Sequence, residues 1–562
     1  MYNVDMKTLL LAINSQYIHS SLAPWYLAAA VGDAMSTYPE LRVPDVLEFN
    51  INQAVETVSA EIIAAEPDIL SISCYIWNID YVKQLLPVLR AALPDCVIIL
   101  GGPEVSYDSA DGQGLYPEAD HIICGEGESA FVSLLGYHYG LSEPSVSSAI
   151  PPNPYTPSYF EQLDGRIAYI ESSRGCPFRC TFCLSGRDEP VRYFDMAQVK
   201  ANLVRLANSG TETVKFVDRT FNCHQGRCIE IIRFILDARE KGDIPPGVCI
   251  HFEVAADLFE AESIELLRGA PAGLFQLEIG LQSFNEVTLD MIGRKTDIPK
   301  AIATVKQLRE RNNIHLHLDL ICGLPGEDLQ SFGASFDRAF ALSPHMLQLG
   351  FLKLIHGSKL REQSESLGIA YDPQPPYQVL STPWLKAGEI KAVLLCAASL
   401  DRFYNSGRFP ATCAYFLSRS EKLSAFGLFC SLGSFMGNCS GMPLEGYISG
   451  IRNYGDSVAG VDPEELRDCL VVDWLSTNHV GVLPLCLQRP DHLNSKIKRM
   501  LERNYASAGK PEGLGTRRSH GFGLLYGGGR LRVAVADYRS PRPVLGAYPL
   551  SIYEIDPKGD MI

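Results

Sequence analysis

Apolar residues in the first 135 positions fall into short unbroken runs at 7–13, 43–49, 69–74, 96–100 and 121–124. Between them, stretches such as 23–35, 54–65 and 79–93 mix apolar and polar residues with a helical period. Apolar runs without alternation predict strands covered on both faces, and strands alternating with helices predict a parallel, doubly wound sheet. Ligands on such sheets bind beyond the carboxyl ends of the strands, which singles out the loops 14–22, 73–78, 101–106 and 125–128. A second strand–helix alternation starts at 167. Its strands are expected at 167–170, 213–217, 248–253, 274–279, 314–321 and 346–354, with helices at 197–209, 228–241, 262–267, 299–311 and 330–341. Prolines 144, 151, 152, 154 and 157 mark a linker at 144–158, and prolines 373, 375, 376 and 383 mark another at 372–384. The expected units are therefore 1–143, 159–371 and 385–562. The last is mixed: helical pattern at 390–403, 414–429 and 463–475, then β-like pattern at 531–536 and 544–553. Gly521, Gly523 and Gly527 to Gly529 read as loop and hairpin punctuation.

One loop of the second pattern carries chemistry. Cys176, Cys180 and Cys183 stand at a Cys-x3-Cys-x2-Cys spacing directly after a short β-like run. Thiolate is a soft ligand suited to iron–sulfur clusters. Three such ligands on one tight loop hold three irons of a [4Fe–4S] cluster and leave the fourth open, and an open coordination position is where chemistry happens. The alternative is a zinc loop that finds its fourth ligand elsewhere. With Phe182 before the last cysteine, the loop resembles the signature of the radical S-adenosylmethionine (SAM) superfamily. That resemblance implies SAM on the open iron and a partial (β/α)6 barrel with its chemistry at the C-terminal strand ends.

Three more strand-end motifs resemble that family in order and spacing: Phe216-Val-Asp218-Arg-Thr-Phe-Asn222, Glu278-Ile-Gly280-Leu-Gln282-Ser283 followed by Arg294, and Asp319-Leu-Ile321-Cys-Gly323-Leu-Pro-Gly-Glu327. The resemblance implies that Phe182 and Ile321 flank the adenine. Glu278 and Arg294 are then candidates for the ribose and the carboxylate, with Asp218, Gln282 and Gly323 also at the SAM site. An internal salt-bridge network is the competing account of Asp218, Glu278 and Arg294, and simple turn geometry that of Gly323. His315 and His317 alternate on one strand face, which reads as hydrogen-bonded barrel histidines before a metal pair.

The loops of the N-terminal sheet resemble the cobalamin-binding domain that precedes many radical SAM modules. The match lies in Ser71 and Ser73 at one strand end, the Gly101-Gly102 turn, and Gly125-Glu126 after the fifth strand. Small residues there let a flat macrocycle approach the backbone. The Asp-x-His-x-x-Gly motif that supplies an axial histidine is absent. His19, in the first loop, is a candidate near the ligand or at a domain contact. A flavodoxin-like domain without this ligand is the alternative.

Charge and cysteine usage narrow the picture. Lys+Arg 49 against Asp+Glu 65 gives a net charge of −16, a poor match for nucleic acid, whose binding rests on cationic contacts to phosphate. No stretch reaches the roughly 18 consecutive apolar residues of a membrane span, and residues 1–7 show no leader pattern. The 16 cysteines do not form a disulfide framework; most, such as Cys74, Cys96, Cys249 and Cys396, are isolated in apolar runs. A cytoplasmic, reducing setting is expected. Cys413, Cys430, Cys439, Cys469 and Cys486 show no Cys-x2-Cys pairing, so no second cluster is expected.

The resemblance implies a radical SAM enzyme that uses a [4Fe–4S] cluster to cleave SAM, with cobalamin as second cofactor. It points to a methyltransferase acting on an unactivated carbon of a small molecule or peptide. A one-electron donor such as flavodoxin or ferredoxin is implied as partner, with neither membrane nor nucleic acid. A cobalamin-dependent rearrangement or ring contraction is the alternative within the class, and a non-catalytic iron–sulfur redox or sensor protein the alternative outside it.

Overall fold

All seven residues of Thr8–Asn14 (β1) are buried, as expected of a strand covered on both faces. It pairs in parallel with Asp45–Asn50 (β2) on one side and Ile69–Ser73 (β3) on the other. Val97–Gly101 (β4) and His121–Ile123 (β5) complete a five-stranded parallel sheet in the order β2-β1-β3-β4-β5. The chain direction across the sheet reverses between β1 and β3, which makes the crevice above those two strands the topological switch point. The structure is a computed structural model that describes residues 6–107, 115–141, 151–186, 190–419, 423–437, 439, 441–478, 482–489, 495–499, 501, 520–538 and 546–555.

The second sheet has six parallel strands. Ala168–Ile170 (β6) stands at one edge, and a two-residue ribbon, Ser173–Arg174 (β7) with Arg192–Tyr193 (β8), brackets the cysteine loop. Thr213–Phe216 (β9), Cys249–Val254 (β10), Phe275–Gln282 (β11), His315–Cys322 (β12) and Met346–Phe351 (β13) follow in spatial order. This is the partial (β/α)6 barrel expected from the sequence. β11 shows the period of two clearly: Phe275, Leu277, Ile279 and Leu281 are buried, while Gln276, Glu278, Gly280 and Gln282 are half-buried on the other face.

The proline-rich stretch after β13 is ordered. Ala370–Tyr371 (β14) and Val379–Ser381 (β15) form an antiparallel hairpin, and β15 is tied to the barrel edge by Val379 N–H donating to the Leu352 carbonyl at 2.9 Å. Of the first linker, residues 144–150 lie outside the described residues, and Pro157 opens a helix, Pro157–Leu163, capped by Thr156. The C-terminal part is mixed, as expected. The helical pattern expected at 414–429 is two helices, Pro410–Arg419 and Ala425–Met436. Gly521 and Gly523, expected as loop, lie inside the strand His520–Leu525 (β16), because Gly523 sits where an added Cβ would come within 2.5 Å of Val471. β16 pairs with Arg532–Asp537 (β17), which pairs with Leu550–Glu554 (β18). Among the described residues no helix is long and apolar enough to cross a membrane.

Candidate functional site

The cysteine loop leaves the barrel at the C-terminal end of β6 and is clamped from below by Asp218, at the end of β9. One oxygen of Asp218 accepts from the hydroxyls of Ser172 (2.7 Å) and Ser173 (2.5 Å), and the other from the Ser172 N–H (2.9 Å). Asp218 is 1% exposed, and burial pushes its carboxyl up to about 6. Asp218 therefore does not face a ligand as the sequence suggests. Its carboxylate is used up in holding the base of the loop. The loop is pinned laterally as well: Thr181 N–H donates to the Ile292 carbonyl (2.9 Å), and Leu360 N–H to the Thr181 carbonyl (2.8 Å). Gly186 passes so close that a Cβ there would lie 1.7 Å from the Phe178 carbonyl oxygen.

Cys180 is buried, while Cys176 and Cys183 are half-buried. Around one tetrahedral zinc, with Zn–S near 2.3 Å, thiolates would sit about 3.8 Å apart. Among the described residues the one group of three His, Cys, Asp or Glu ligand atoms within 4.8 Å of one another is Glu278, His317 and Asp319. The three thiol sulfurs are thus not drawn together around a single point. Burial pushes the Cys180 thiol up, and the Arg294 guanidinium beside it, with Nη1 3.8 Å from Sγ, opposes that. Arg294 also donates to the Gly280 carbonyl (2.6 Å) and lies over the Phe178 ring (5.2 Å). It takes part in no ion pair among the described residues, so the salt-bridge account does not hold for it.

That account does hold for Glu278. Lys215 of β9 lies 3.1 Å from Glu278 and 3.1 Å from Glu253, and His251 lies 3.1 Å from Glu278. Burial alone would raise Glu278; the nearby His251 ring and the Lys215 ammonium bring it down to about 2. Nε2 of His317 and Oδ1 of Asp319 are 2.9 Å apart, yet neither is in hydrogen-bonding geometry, and both are buried. Buried polar atoms left like this are costly unless a ligand or water meets them. An ammonium 3.1 Å from the Glu278 carboxylate disfavours a metal ion in this group and favours hydroxyl or amino donors of a ligand. His315 stacks instead on His345, 5.2 Å away, so His315 and His317 do not act as a pair.

Gln282 is held in the left-handed region, at φ +69°, where the β11–β12 register shifts, and its Oε1 is buried with no partner. Such strain in a non-glycine residue persists where the surroundings over-determine it, often at ligand sites. Phe182 and Ile321 are partly buried against the barrel core. Gly323, at φ +91°, has a packing role: an added Cβ would lie 2.6 Å from Val379 of β15.

Two adjoining cavities lie between the N-terminal sheet and the barrel mouth. One, of about 370 Å³, brings together Ser71, Ser73, Gly101, Gly102, Gly125 and Glu126, the six strand-end residues expected at a cobalamin site. Small side chains line its floor, and Gly125 at φ +77° has open space where a Cβ would be. The other, of about 570 Å³, runs from the switch-point loops to Lys215, Arg219 and Glu253 of the barrel. Tyr26, Tyr75, Glu126 and Arg174 wall both. His19 lines the larger one, but its Nδ1 is 2.6 Å from the Tyr169 hydroxyl and its backbone bridges to Ile167, so it sits at the domain contact. Glu126 is turned to Arg174 (3.4 Å) and Arg192.

The sequence reading missed Arg174, Lys215 and Asp319 as site residues. Their signal was position: Arg174 precedes Cys176 by two, and Lys215 and Asp319 sit near the carboxyl ends of barrel strands. It also missed Glu48, which accepts from Asn14, Ser21, Trp25 and Arg166 and joins the two sheets.

Protein-family models match three stretches: the B12 binding domain over residues 8–135, the radical SAM superfamily over 170–339, and a protein family of unknown function, DUF4080, over 365–510. The 2-(S-pantetheinyl)-carbapenam-3-carboxylate methyltransferase of Streptantibioticus cattleyicolor is 27% identical over 306 residues, which is 48% of this chain and 44% of that protein. The cobalamin-dependent radical SAM methyltransferase TokK of Streptomyces tokunonensis is 25% identical over 311 residues, again 48% and 44%. The chain thus spans less than half the length of these curated relatives. The structure of the radical SAM methyltransferase TsrM from Kitasatospora setae superposes with a TM-score of 0.51 at 16% identity, covering 66% of this chain and 76% of that one. The cobalamin-dependent SAM radical enzyme OxsB gives 0.57 at 12% identity, covering 90% and 81%. Those two likenesses show the fold. The chain is built of a B12-binding domain, a radical SAM domain and a DUF4080 region, in that order.

Proposed function

We propose that this chain is a radical SAM enzyme that works with cobalamin and methylates an unactivated carbon of a small molecule or peptide. The observation that carries the reading is the pair of adjoining cavities, which connects the glycine- and serine-lined strand ends of one sheet to the mouth of the barrel that carries the cysteine loop. Two relatives named as methyltransferases, one of them cobalamin-dependent, support it. A relative named as an anaerobic magnesium-protoporphyrin IX monomethyl ester cyclase, from Rubrivivax gelatinosus and 23% identical over 329 residues, keeps the alternative of radical ring chemistry in view.

In this reading Cys176, Cys180 and Cys183 hold the cluster. Arg294 and Gln282 meet the amino-acid end of SAM, Glu278 and Asp319 its hydroxyls, and Phe182 and Ile321 its adenine. Ser71, Ser73, Gly101, Gly102 and Gly125 form the cobalamin groove. When bound, the cluster supplies the electron that splits SAM, and cobalamin supplies a methyl carrier. The protein's own part is positioning. Asp218 fixes the cluster loop, Arg294 places a cation where a carboxylate must sit, and the walls of Tyr26 and Tyr75 keep water from the space between the cofactors. A one-electron donor of the flavodoxin or ferredoxin type and a cytoplasmic location complete the proposal.

The test is label transfer. Anaerobically reconstituted protein with aquacobalamin, reductant and SAM carrying a deuterated methyl group should yield labelled methylcobalamin. Cobalamin that binds but stays unlabelled would sink methyl transfer and favour the rearrangement alternative.

A further inference from the structure

The element at the start of the DUF4080 region touches both cofactor sides of the molecule. Val379 of β15 fills the space left by Gly323, in the Gly-Leu-Pro-Gly turn of the barrel, so closely that an added Cβ would lie 2.6 Å away. Two residues earlier, Tyr377 reaches the opposite way. Its hydroxyl donates to Glu104, in the loop after β4 that carries Gly101 and Gly102. Glu104 is 3% exposed, and His356 of the barrel lies 3.8 Å from it. Next to it, Tyr107 packs on Gly357 where a Cβ would come within 2.2 Å. Tyr377 itself is 3% exposed and sits at φ +57°. A bulky residue in the left-handed region is a true outlier, retained only when its surroundings hold it there. The restraints are visible: the Arg361 guanidinium lies 4.6 Å over the ring, His356 meets it edge-on at 4.8 Å, and its backbone pairs with Gln374 and Leu354.

We infer that Tyr377 is a positioning residue. The hairpin β14–β15 acts as a strap that sets the Gly101–Gly102 loop, and with it the cobalamin groove, relative to the barrel. The inference rests on the reading of that groove as a cobalamin site, and it assigns a role to the first element of a region whose family carries none. It follows that the strap acts on one cofactor and not on the other. Gly323 keeps its packing with Val379 whether or not Tyr377 bears a hydroxyl, so SAM binding should not register the change.

The experiment compares the full-length protein with Tyr377→Phe and Glu104→Gln. Phenylalanine keeps the ring and its stacking but loses the donor; glutamine keeps an acceptor oxygen. Aquacobalamin affinity should fall about tenfold in Tyr377→Phe, the equivalent of roughly 1.4 kcal/mol for one buried hydrogen bond, and by much less in Glu104→Gln. SAM affinity should be unchanged in both. Hydrogen exchange of the cofactor-free protein should rise at residues 103–107 in Tyr377→Phe. Cobalamin affinity within twofold of the parent, or a parallel loss of SAM affinity, would overturn the inference. Absence of cobalamin binding by the parent protein would instead count against the cobalamin reading, and exchange at 103–107 would still decide whether the strap holds the loop.

Discussion

Arg174 and Glu128 are joined across the two sheets at 2.8 Å, each with only 15% of its side chain exposed. Arg174 lies two residues before Cys176, and Glu128 in the first turn of the helix Gly127–His138 that follows β5. The same guanidinium meets Glu171 at 3.0 Å and lies 4.9 Å over the ring of Tyr26. One side chain thus ties the cysteine loop to the loop that carries Gly125. Arg174→Gln should cost about 3 kcal/mol, since breaking a shielded pair leaves carboxylates uncompensated. Arg174→Lys should recover little of it, because a single ammonium cannot serve the three carboxylates of Glu126, Glu128 and Glu171 and an aromatic face together. Urea midpoints of the three proteins check this; a lysine variant equal to the parent would contradict it.

Gly186 predicts a cluster defect without loss of a cysteine. A Cβ 1.7 Å from the Phe178 carbonyl forces the loop to open between Cys176 and Cys180. Gly186→Ala should bind well under half the parent's iron after anaerobic reconstitution, with an unchanged far-ultraviolet circular dichroism spectrum. Full iron loading would show that the close approach does not matter.

Glu327 predicts a pH signature. Its carboxyl is 1% exposed and accepts from Ser283 (2.5 Å) and Ser335 (3.1 Å), while its other oxygen is buried without a partner. Burial pushes it up to about 7 from an ordinary 4.5. A raised carboxyl contributes its full stability below the unfolded value and loses it as pH rises through the folded one. The parent should therefore lose about 3 kcal/mol between pH 4.5 and 8 from this group. Glu327→Gln should gain on the parent at pH 8 and not at pH 5. Equal differences at both pH values would refute it.

Lys215 behaves in the opposite sense. Glu278 is held down to about 2, so its contribution is present above about 4.5 and lost only as pH falls towards 2. Lys215→Met should destabilise by about 3 kcal/mol at pH 7, and the difference should shrink below pH 4.5. A difference that stays constant through that range would show that Lys215 acts by packing alone.

Much of this was legible in the sequence. The unbroken apolar runs mark the first parallel sheet, because strands buried on both faces carry few polar residues, and the strand–helix alternation from residue 167 marks the second. The cysteine spacing and the strand-end motifs brought Cys176, Cys180, Cys183, Gln282 and Arg294 to one barrel mouth. What stayed hidden depended on long-range partners. Asp218 reads as a ligand until Ser172 and Ser173 are seen to occupy it. Glu126 lines both cavities, but its pairs with Arg174 and Arg192 are invisible in the sequence. Residues 372–384 read as linker because proline signals a break in regular structure, yet Tyr377 and Val379 find partners about 270 and 56 positions away. Gly523, inside β16, reads as loop for the same reason: the neighbour that requires a glycine there, Val471, is remote in sequence.

The most direct measurement is 5′-deoxyadenosine. The protein is loaded anaerobically until it carries roughly four iron atoms per chain, then reduced and given SAM. The account predicts 5′-deoxyadenosine and methionine in equal amounts, and neither from a Cys176→Ala variant. A fully loaded, reduced protein that binds SAM and forms no 5′-deoxyadenosine would contradict it.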